Sequence, residues 1–581
     1  MLRLICIPVA LIAILLGSLA WSGGGRQQRA DFTFINRGDI ITLDLKSMSY
    51  LQDFRVTYAI REGLYSYDTK TLRPVFAGIV ARDVSDDRRV WTFHLRPESR
   101  WTNGDPVVAA DYVFHWRRML EEPDEYTYLF YYIDGAKRYE DEYQAYLKYR
   151  EKLYEHEQNP QDTPKPAEVP RPDFAKVGVR AIDEYTLEVR LTNPVPFLED
   201  LLAFPPFYPM HEKSMQPFKE VDPRTGRTSY RGEFTRPPHV VTNGPFKLTR
   251  WEFKRLLWFE KSETYWDKAN VKSNTLAMVV NENPLSQFLM YDRGDVEWLT
   301  DVSADVAAEL KAQGRPDLRV FPAFGTAYLT LNCKPQFLPD TEGARGKNPL
   351  ADVRVRQALA MAIDKKLITE TITRMGEQPT TTYVPPNQLP GYRSRPGLPY
   401  DVSRARALLA EAGYPNGSGF PSLPILYNSE STTRRLVAQS IASQWRQNLG
   451  IDCDLQQLEV KLFRNKVTEK KYAIATVGWY GDYLDVSTFT DKYLSTSLQN
   501  DCDWQNPQYD ALLEQAAREP DEHKRLRILE EAEHLLNMEA PIIPLYHYVN
   551  VWMHRDNVHG IDPNPKLLTM MKDVWVEKRK G

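Results

Sequence analysis

The sequence predicts an α/β protein of several domains. Three observations carry this. At 581 residues the chain exceeds what one ordinary hydrophobic core holds and suggests three or four domain-sized units. Segments with strand periodicity alternate with segments of helical periodicity along the chain. The run "TTRRLVAQSIASQWRQNLGIDCDLQQLE" has the texture of half a βαβ unit, with a helix, a stopping glycine and a strand. The composition, 42% hydrophobic and 26% charged, is ordinary for a globular chain.

Taken in order, "VWTFHL", Val90 to Leu95, alternates as a half-buried strand. After the turn "TNGD", a helix is predicted from about Ala109, with Tyr112, Val113, Trp116 and Met119 at helical spacing. The stretch from Tyr139 to Pro172 is charged and helical at first, then Pro-rich, and reads as a surface insertion. Strand periodicity resumes with Val177, Val179, Leu187, Val189 and Leu191 facing one way, and "VTNGPFKLTRWEFKRLLWFEK" reads as two more strands. "ADVRVRQALAMAIDKKLITETI" predicts one helix. "DVSRARALLAEAGY" predicts another, with Asp401 as N-cap and Gly413 as its stop. The last third reads as a helix, a Pro-bounded strand and a return, and no repeat of fixed period is present.

The N-terminus carries Arg3, an apolar run from Leu4 to about Ala20, and small residues at Ser18 and Ala20. That pattern fits a secretory signal; an uncleaved anchor over Leu4–Trp21 is the other reading, and both place the bulk of the chain outside the cytoplasm. A net charge of −4 gives no reason to expect a nucleic-acid partner. Of the four cysteines, Cys6, Cys333, Cys453 and Cys502, the last three remain after processing, enough for one disulfide and one thiol, and sequence does not pair them. None stands at metal-ligand spacing, so neither a metal nor a cofactor is expected. No nucleophile elbow, phosphate loop or metalloprotease motif occurs, and His211, His239 and His547 stand singly, so the chain does not read as an enzyme.

The richest stretch is "ATVGWYGDYLDVSTF", Ala475 to Phe489, where an apolar strand runs into glycines, aromatics and two acids. Asp482 there either closes a turn or is held for a cation; Asp485 reads as a turn or cap residue. The chain's 32 Tyr and 13 Trp suit a cavity that is apolar and hydrogen-bonding at once.

Several stretches in order, "REGLYSYDTKTLRP", "WTNGDPVVAADYVFHWRRM", "VTNGPFKL", "DVRVRQALAMAID", "YDVSRARALLAEAGY", "GWYGDYLDVSTF" and "APIIPLYHY", resemble the extracellular solute-binding proteins of family 5, and among them the periplasmic oligopeptide-binding proteins of peptide ABC transporters. The resemblance runs from about Leu43 to the C-terminus. It implies a two-lobed periplasmic-binding-protein type II fold with an extra domain on the first lobe and a hinged cleft between lobes. The division it implies is 1–30 as signal peptide or anchor, and 31–64, 213–322 and 544–581 as the first lobe. Residues 65–212 are then the extra domain with the charged insertion 139–172, and 323–543 the second lobe. Crossings between lobes are expected near Pro322–Gly325 and Pro541–Pro544.

The resemblance further implies that an extended peptide lies in the cleft by strand addition. The acid after the G-W element, Asp482, holds its α-ammonium group, and Gly478, Trp479 and Tyr480 offer backbone, the glycine letting the ligand approach closely. The opposite wall is expected at Ser49, Tyr50 and Leu51, with Tyr131 as a lid. Two departures stand out: Thr476 sits where such proteins carry a base for the ligand carboxylate, and Asp401 stands near a second such position. The expected partners are an oligopeptide and a membrane permease, with the protein a monomer. The alternatives are an anchored binding protein or sensor of the same fold for a nickel complex, haem or sugar without a transporter, or a secreted hydrolase.

Overall fold

The computed structural model describes residues 29–578 apart from Arg37, Glu430, Ser431 and Leu498, so the N-terminal signal or anchor expected over 1–30 lies almost wholly outside the described residues. Among the described residues no helix is long and apolar enough to cross a membrane. The elements that position the site begin with β1 (Phe32–Ile35), α1 (Leu51–Ile60), β2 (Ile79–Val84), β3 (Val90–Leu95), α2 (Ala109–Glu121), α3 (Ala136–Gln158), β4 (Val179–Asp183) and β5 (Thr186–Arg190). They continue with β6 (Phe246–Glu252), β7 (Leu256–Lys261), β8 (Thr275–Val279), β9 (Trp298–Leu299), β10 (Leu318–Leu331) and β11 (Leu423–Asn428). The last are α4 (Thr432–Leu449), β12 (Cys453–Leu458), β13 (Ile474–Tyr480), α5 (Glu522–Glu539) and β14 (Ile542–His554).

An eleven-stranded mixed sheet runs through the molecule in the order β6-β7-β8-β1-β9-β14-β10-β13-β11-β12, with the short strand Gln378–Pro379 added on β14. Two long central strands, β10 and β14, join its two wings, and their pairing is interrupted between Pro322 and Thr326 on one and His547 and Val549 on the other. The apolar side chains change company at that break. Leu329, Leu331, Ile543 and Leu545 pack into one core, whereas Val551 and Met553 pack into another with Ile35, Tyr291 and Leu299. Each wing therefore buries its own apolar surface, and β10 and β14 run from one core to the other.

A separate four-stranded antiparallel sheet, β2-β3-β5-β4, lies against α2. Trp91, Phe93 and Leu95 of β3 point into its core while their neighbours point out, as the alternation of this segment predicts. The helix expected from about Ala109 forms there; the Asp111 carboxylate accepts the Val108 N–H (3.0 Å) and so satisfies a donor that the helix start would leave bare.

Two expectations change. The segment 351–372, read as one helix, breaks after Met361, because the Asp364 side chain accepts the Leu367 N–H (3.1 Å) and caps a new short helix. The stretch 139–172 is not a solvated excursion throughout. Tyr139, Tyr143 and Leu147 of α3 are buried in the core of the extra sheet, and only the Pro-rich part, 159–172, is mainly exposed.

Candidate functional site

The site is built on the free edge of a strand. One edge of β13 pairs with β10 along its whole length, from Ile474 opposite Leu331 to Tyr480 opposite Gly325. Its other edge meets β11 only at Ile474 and Ala475. Past Ala475 the two strands diverge, because β11 continues alongside β12 up to Asn428. The backbone of Val477–Trp479 thus presents an edge with no neighbouring strand among the described residues, and it opens on a cavity of about 770 Å³. Unpaired strand backbone beside a cavity of ligand size is a template for a further strand.

Gly478 has a different reason from the one its sequence context suggests. A Cβ there would lie 2.1 Å from the Tyr548 hydroxyl, so the close approach the glycine permits is that of Tyr548. Tyr480 stacks on the same ring, with centroids 4.9 Å apart. The Trp479 indole donates to the Thr488 carbonyl (2.9 Å), and the Lys492 ammonium lies 4.9 Å from its ring centre. Lys492 is in turn held by Asp501 at 3.1 Å.

Asp482 follows the strand end. Its N–H donates to the Thr488 hydroxyl (3.0 Å), and its Oδ1 accepts the Tyr126 hydroxyl from the opposite wall (3.1 Å). Its Oδ2 is buried and has no hydrogen-bond partner among the described residues. Loss of solvent around the carboxyl is the largest influence on it and pushes it up to about 7, against the Tyr126 bond and the nearby Lys566 charge, which favour ionisation. Lys566 itself donates to the Asp482 carbonyl (2.8 Å), not to the carboxylate. A carboxylate in this state gains most from a cation that enters the cavity and pairs with it.

Asp485 has the structural role its position suggests. It accepts two hydrogen bonds from Arg525 of α5 (2.7 and 2.8 Å) and a third from the Ser487 N–H (2.9 Å).

The opposite wall comes from the first lobe. Ser49, Tyr50 and Leu51 at the start of α1 line the cavity with Tyr126, Tyr128 and Tyr131. All seven residues singled out from the sequence, Tyr50, Leu51, Tyr131, Gly478, Trp479, Tyr480 and Asp482, line this one cavity. The Tyr50 hydroxyl accepts from Arg464 of the second lobe (2.6 Å), and Arg464 also pairs with Glu125. Tyr131 donates to Glu140 of α3 (2.5 Å), a cavity-lining carboxylate within the supposed surface insertion.

Sequence reasoning did not reach Tyr126, Glu140, Arg434, Arg464, Lys492 or Lys566, which also line the cavity. Tyr126 opens the tyrosine-rich run "YTYLFYYI", where nothing local distinguishes it from the other rings. Thr476 is buried, its hydroxyl turned to the Leu426 carbonyl (3.4 Å), and Asp401 caps its helix through the Arg404 N–H (2.9 Å). His547 is buried between Thr326 and Thr382 and does not line the cavity. A second cavity, of about 690 Å³, is lined by Lys365, Thr380, Thr381, Thr382 and Arg393 among others. Its Lys365 ammonium already donates to the Thr380 carbonyl (2.9 Å).

Residues 75–501 match the family described as bacterial extracellular solute-binding proteins, family 5. The chain belongs to that family. The oligopeptide-binding protein of Bacillus subtilis is 28% identical over 492 residues, covering 82% of this chain and 80% of that one. The periplasmic oligopeptide-binding protein of Salmonella typhimurium is 27% identical over 534 residues, covering 90% and 88%. Among solved structures, a periplasmic oligopeptide-binding protein from Borrelia burgdorferi superposes with a TM-score of 0.78 at 25% identity, covering 94% of this chain and all of that one. The Haemophilus influenzae oligopeptide-binding protein in complex with the peptide RPPGFSPFR gives 0.76 at 25% identity, covering 95% and 100%. The two-lobed α/β fold expected from the sequence is thus the fold of the family.

Proposed function

We propose that this protein captures an extended oligopeptide in the cleft between its lobes and delivers it to an ABC-type permease. The observation that carries this is the edge of β13 over Val477–Trp479, which has no neighbouring strand among the described residues, lines the cavity and leads to the half-satisfied carboxylate of Asp482. A peptide backbone laid along that edge finds donors and acceptors whatever its side chains, and its α-ammonium group meets Asp482. The relatives named for oligopeptides support the same ligand class. The protein acts as a binder and not as an enzyme, as a monomer, outside the cytoplasm.

The lobes divide as 31–64, 213–322 and 544–581 with the extra domain 65–212, against 323–543. We place the crossings at the pairing break, Pro322–Thr326 and His547–Val549, the second of them a few residues beyond Pro541–Pro544. Contacts such as Tyr126 with Asp482 and Arg464 with Tyr50 and Glu125 belong to the closed form. A ligand that bridges both walls favours that form by contacts it cannot make in an open one. We assign the carboxylate end of the peptide to Arg434. It lines the cavity from the first turn of α4 and supplies the charge that Thr476 lacks.

Native mass spectrometry tests the ligand class. Peptides of mixed sequence should accompany the purified protein and be lost from Asp482→Ala. A single non-peptide mass would contradict the proposal, as would added peptides that leave the thermal midpoint unchanged.

A further inference from the structure

Two cysteines far apart in sequence meet at the base of the second-lobe wall. Cys333 follows the end of β10, and Cys502 lies in the segment between Tyr493 and Pro507. The Cys333 N–H donates to the Cys502 carbonyl at 2.8 Å. A direct backbone bond of this kind makes the two residues immediate neighbours, with α-carbons no farther apart than roughly 6.7 Å even at full extension. A disulfide spans about 4.4–6.8 Å between α-carbons. As thiols, Cys333 donates to the Leu331 carbonyl (3.4 Å) and Cys502 to Asn500 Oδ1 (3.1 Å), and the two also influence each other directly. Hydrogen bonding with the Cys502 thiol draws the Cys333 thiol below its ordinary range, while burial pushes Cys502 up. Cys453 stands apart in β12, and burial pushes its thiol up to about 12.

The surroundings already hold the pair in place. Lys334 and Lys470 both bind Asp503, next to Cys502, and the Tyr472 hydroxyl donates to the Asp501 carbonyl (3.1 Å). The Asn500 amide donates to the Leu494 and Trp504 carbonyls (3.2 and 2.7 Å) and closes the loop on itself. This same loop presents Gln499 and Asp501 to the ligand cavity, and Asp501 holds Lys492 over the Trp479 ring.

We propose that Cys333 and Cys502 are joined by a disulfide in the exported protein, a covalent tie that fixes the Gln499–Asp501 wall of the cleft. The oxidant is a disulfide, either oxidised glutathione or the active-site disulfide of a thiol oxidase. Cys333, half-buried and the more readily ionised, attacks one sulfur of that disulfide and releases the other as a thiolate. Cys502 then attacks the Cys333 sulfur of the mixed disulfide and releases the second thiolate. The two cysteines lose two protons and two electrons, and the oxidant gains them as two thiols. The cellular half of this proposal rests on the chain working outside the cytoplasm, where disulfides persist.

Protein purified from the extracytoplasmic fraction, alkylated and digested without reduction, decides the pairing. The peptides bearing Cys333 and Cys502 are expected as one linked species, lighter than their sum by two hydrogens, with Cys453 alkylated. Reductant should lower the thermal midpoint by several degrees, and the double variant Cys333→Ser/Cys502→Ser should show no such response. Both cysteines recovered alkylated, even after incubation with oxidised glutathione, would overturn the proposal, as would a link to Cys453. A link made only by added glutathione would overturn its cellular half. Peptide titration of the reduced protein is a separate readout, so failure of the disulfide and failure of the peptide-binding reading are distinguishable.

Discussion

Two acids at opposite ends of one short turn have opposite surroundings. Asp485 is buried with its oxygens bonded to Arg525 and the Ser487 N–H, facing the protein's own cation. Asp482, three residues earlier, faces the cavity with one oxygen bonded to Tyr126 and the other to no group among the described residues. The sequence "GDYLDV" offers both as the same side chain; the neighbours decide. An acid whose partner is built in holds the fold together, and an acid left short of a partner is available to a ligand.

The largest expected effect breaks the structural member of the pair. Asp485→Ala leaves the Arg525 guanidinium buried and unpaired, and should lower unfolding free energy by about 3–5 kcal/mol in urea titration. A cost near zero would show that Asp485 does not hold the turn.

Next comes the other member. Asp482→Asn should weaken binding of free-amine peptides by about 2–5 kcal/mol in calorimetry. The ligand-free variant should be no less stable than the parent at pH 8, because the fold carries an ionised carboxyl it disfavours. Equal losses of stability at both aspartates would erase the contrast.

The pH response is smaller. The folded carboxyl of Asp482 is raised from 3.8 to about 7, so ionising it in the ligand-free fold costs stability as pH rises between those values, and the cost is complete above about 7. A bound ammonium favours the ionised form. Affinity for a free-amine peptide should therefore be highest between about pH 7 and 8 and fall below that, by at most about tenfold per unit, while the peptide's own amine loses its proton above about 8. Titrations at pH 5, 6 and 7.5 check this, and an affinity independent of pH would place the ammonium elsewhere.

Much of this was legible in the sequence because it is written locally. The alternation of Val90–Leu95, the Asp401 cap and the Gly413 stop each depend on residues within a turn or two. The order of motifs also pointed to β13, and all seven chosen residues line one cavity. What stayed hidden depends on chain segments brought together from far apart. Lys566 reaches Asp482 across 84 positions and Tyr126 across 356, and no periodicity encodes either. The burial of Tyr139 and Tyr143 was masked by the charged residues between them, since a helix with one apolar stripe and many charges reads as exposed when counted by composition. Gly478 was assigned to ligand approach when the group that needs the space, Tyr548, lies on another strand.

The most direct measurement is calorimetric titration at pH 7.5 with one short peptide and its Nα-acetylated twin. If β13 and Asp482 grip the peptide as proposed, the acetylated form loses the charge pair but keeps the backbone contacts, and its affinity should fall by more than about 1 kcal/mol. Equal affinities would contradict the role of Asp482 as the anchor of the amine.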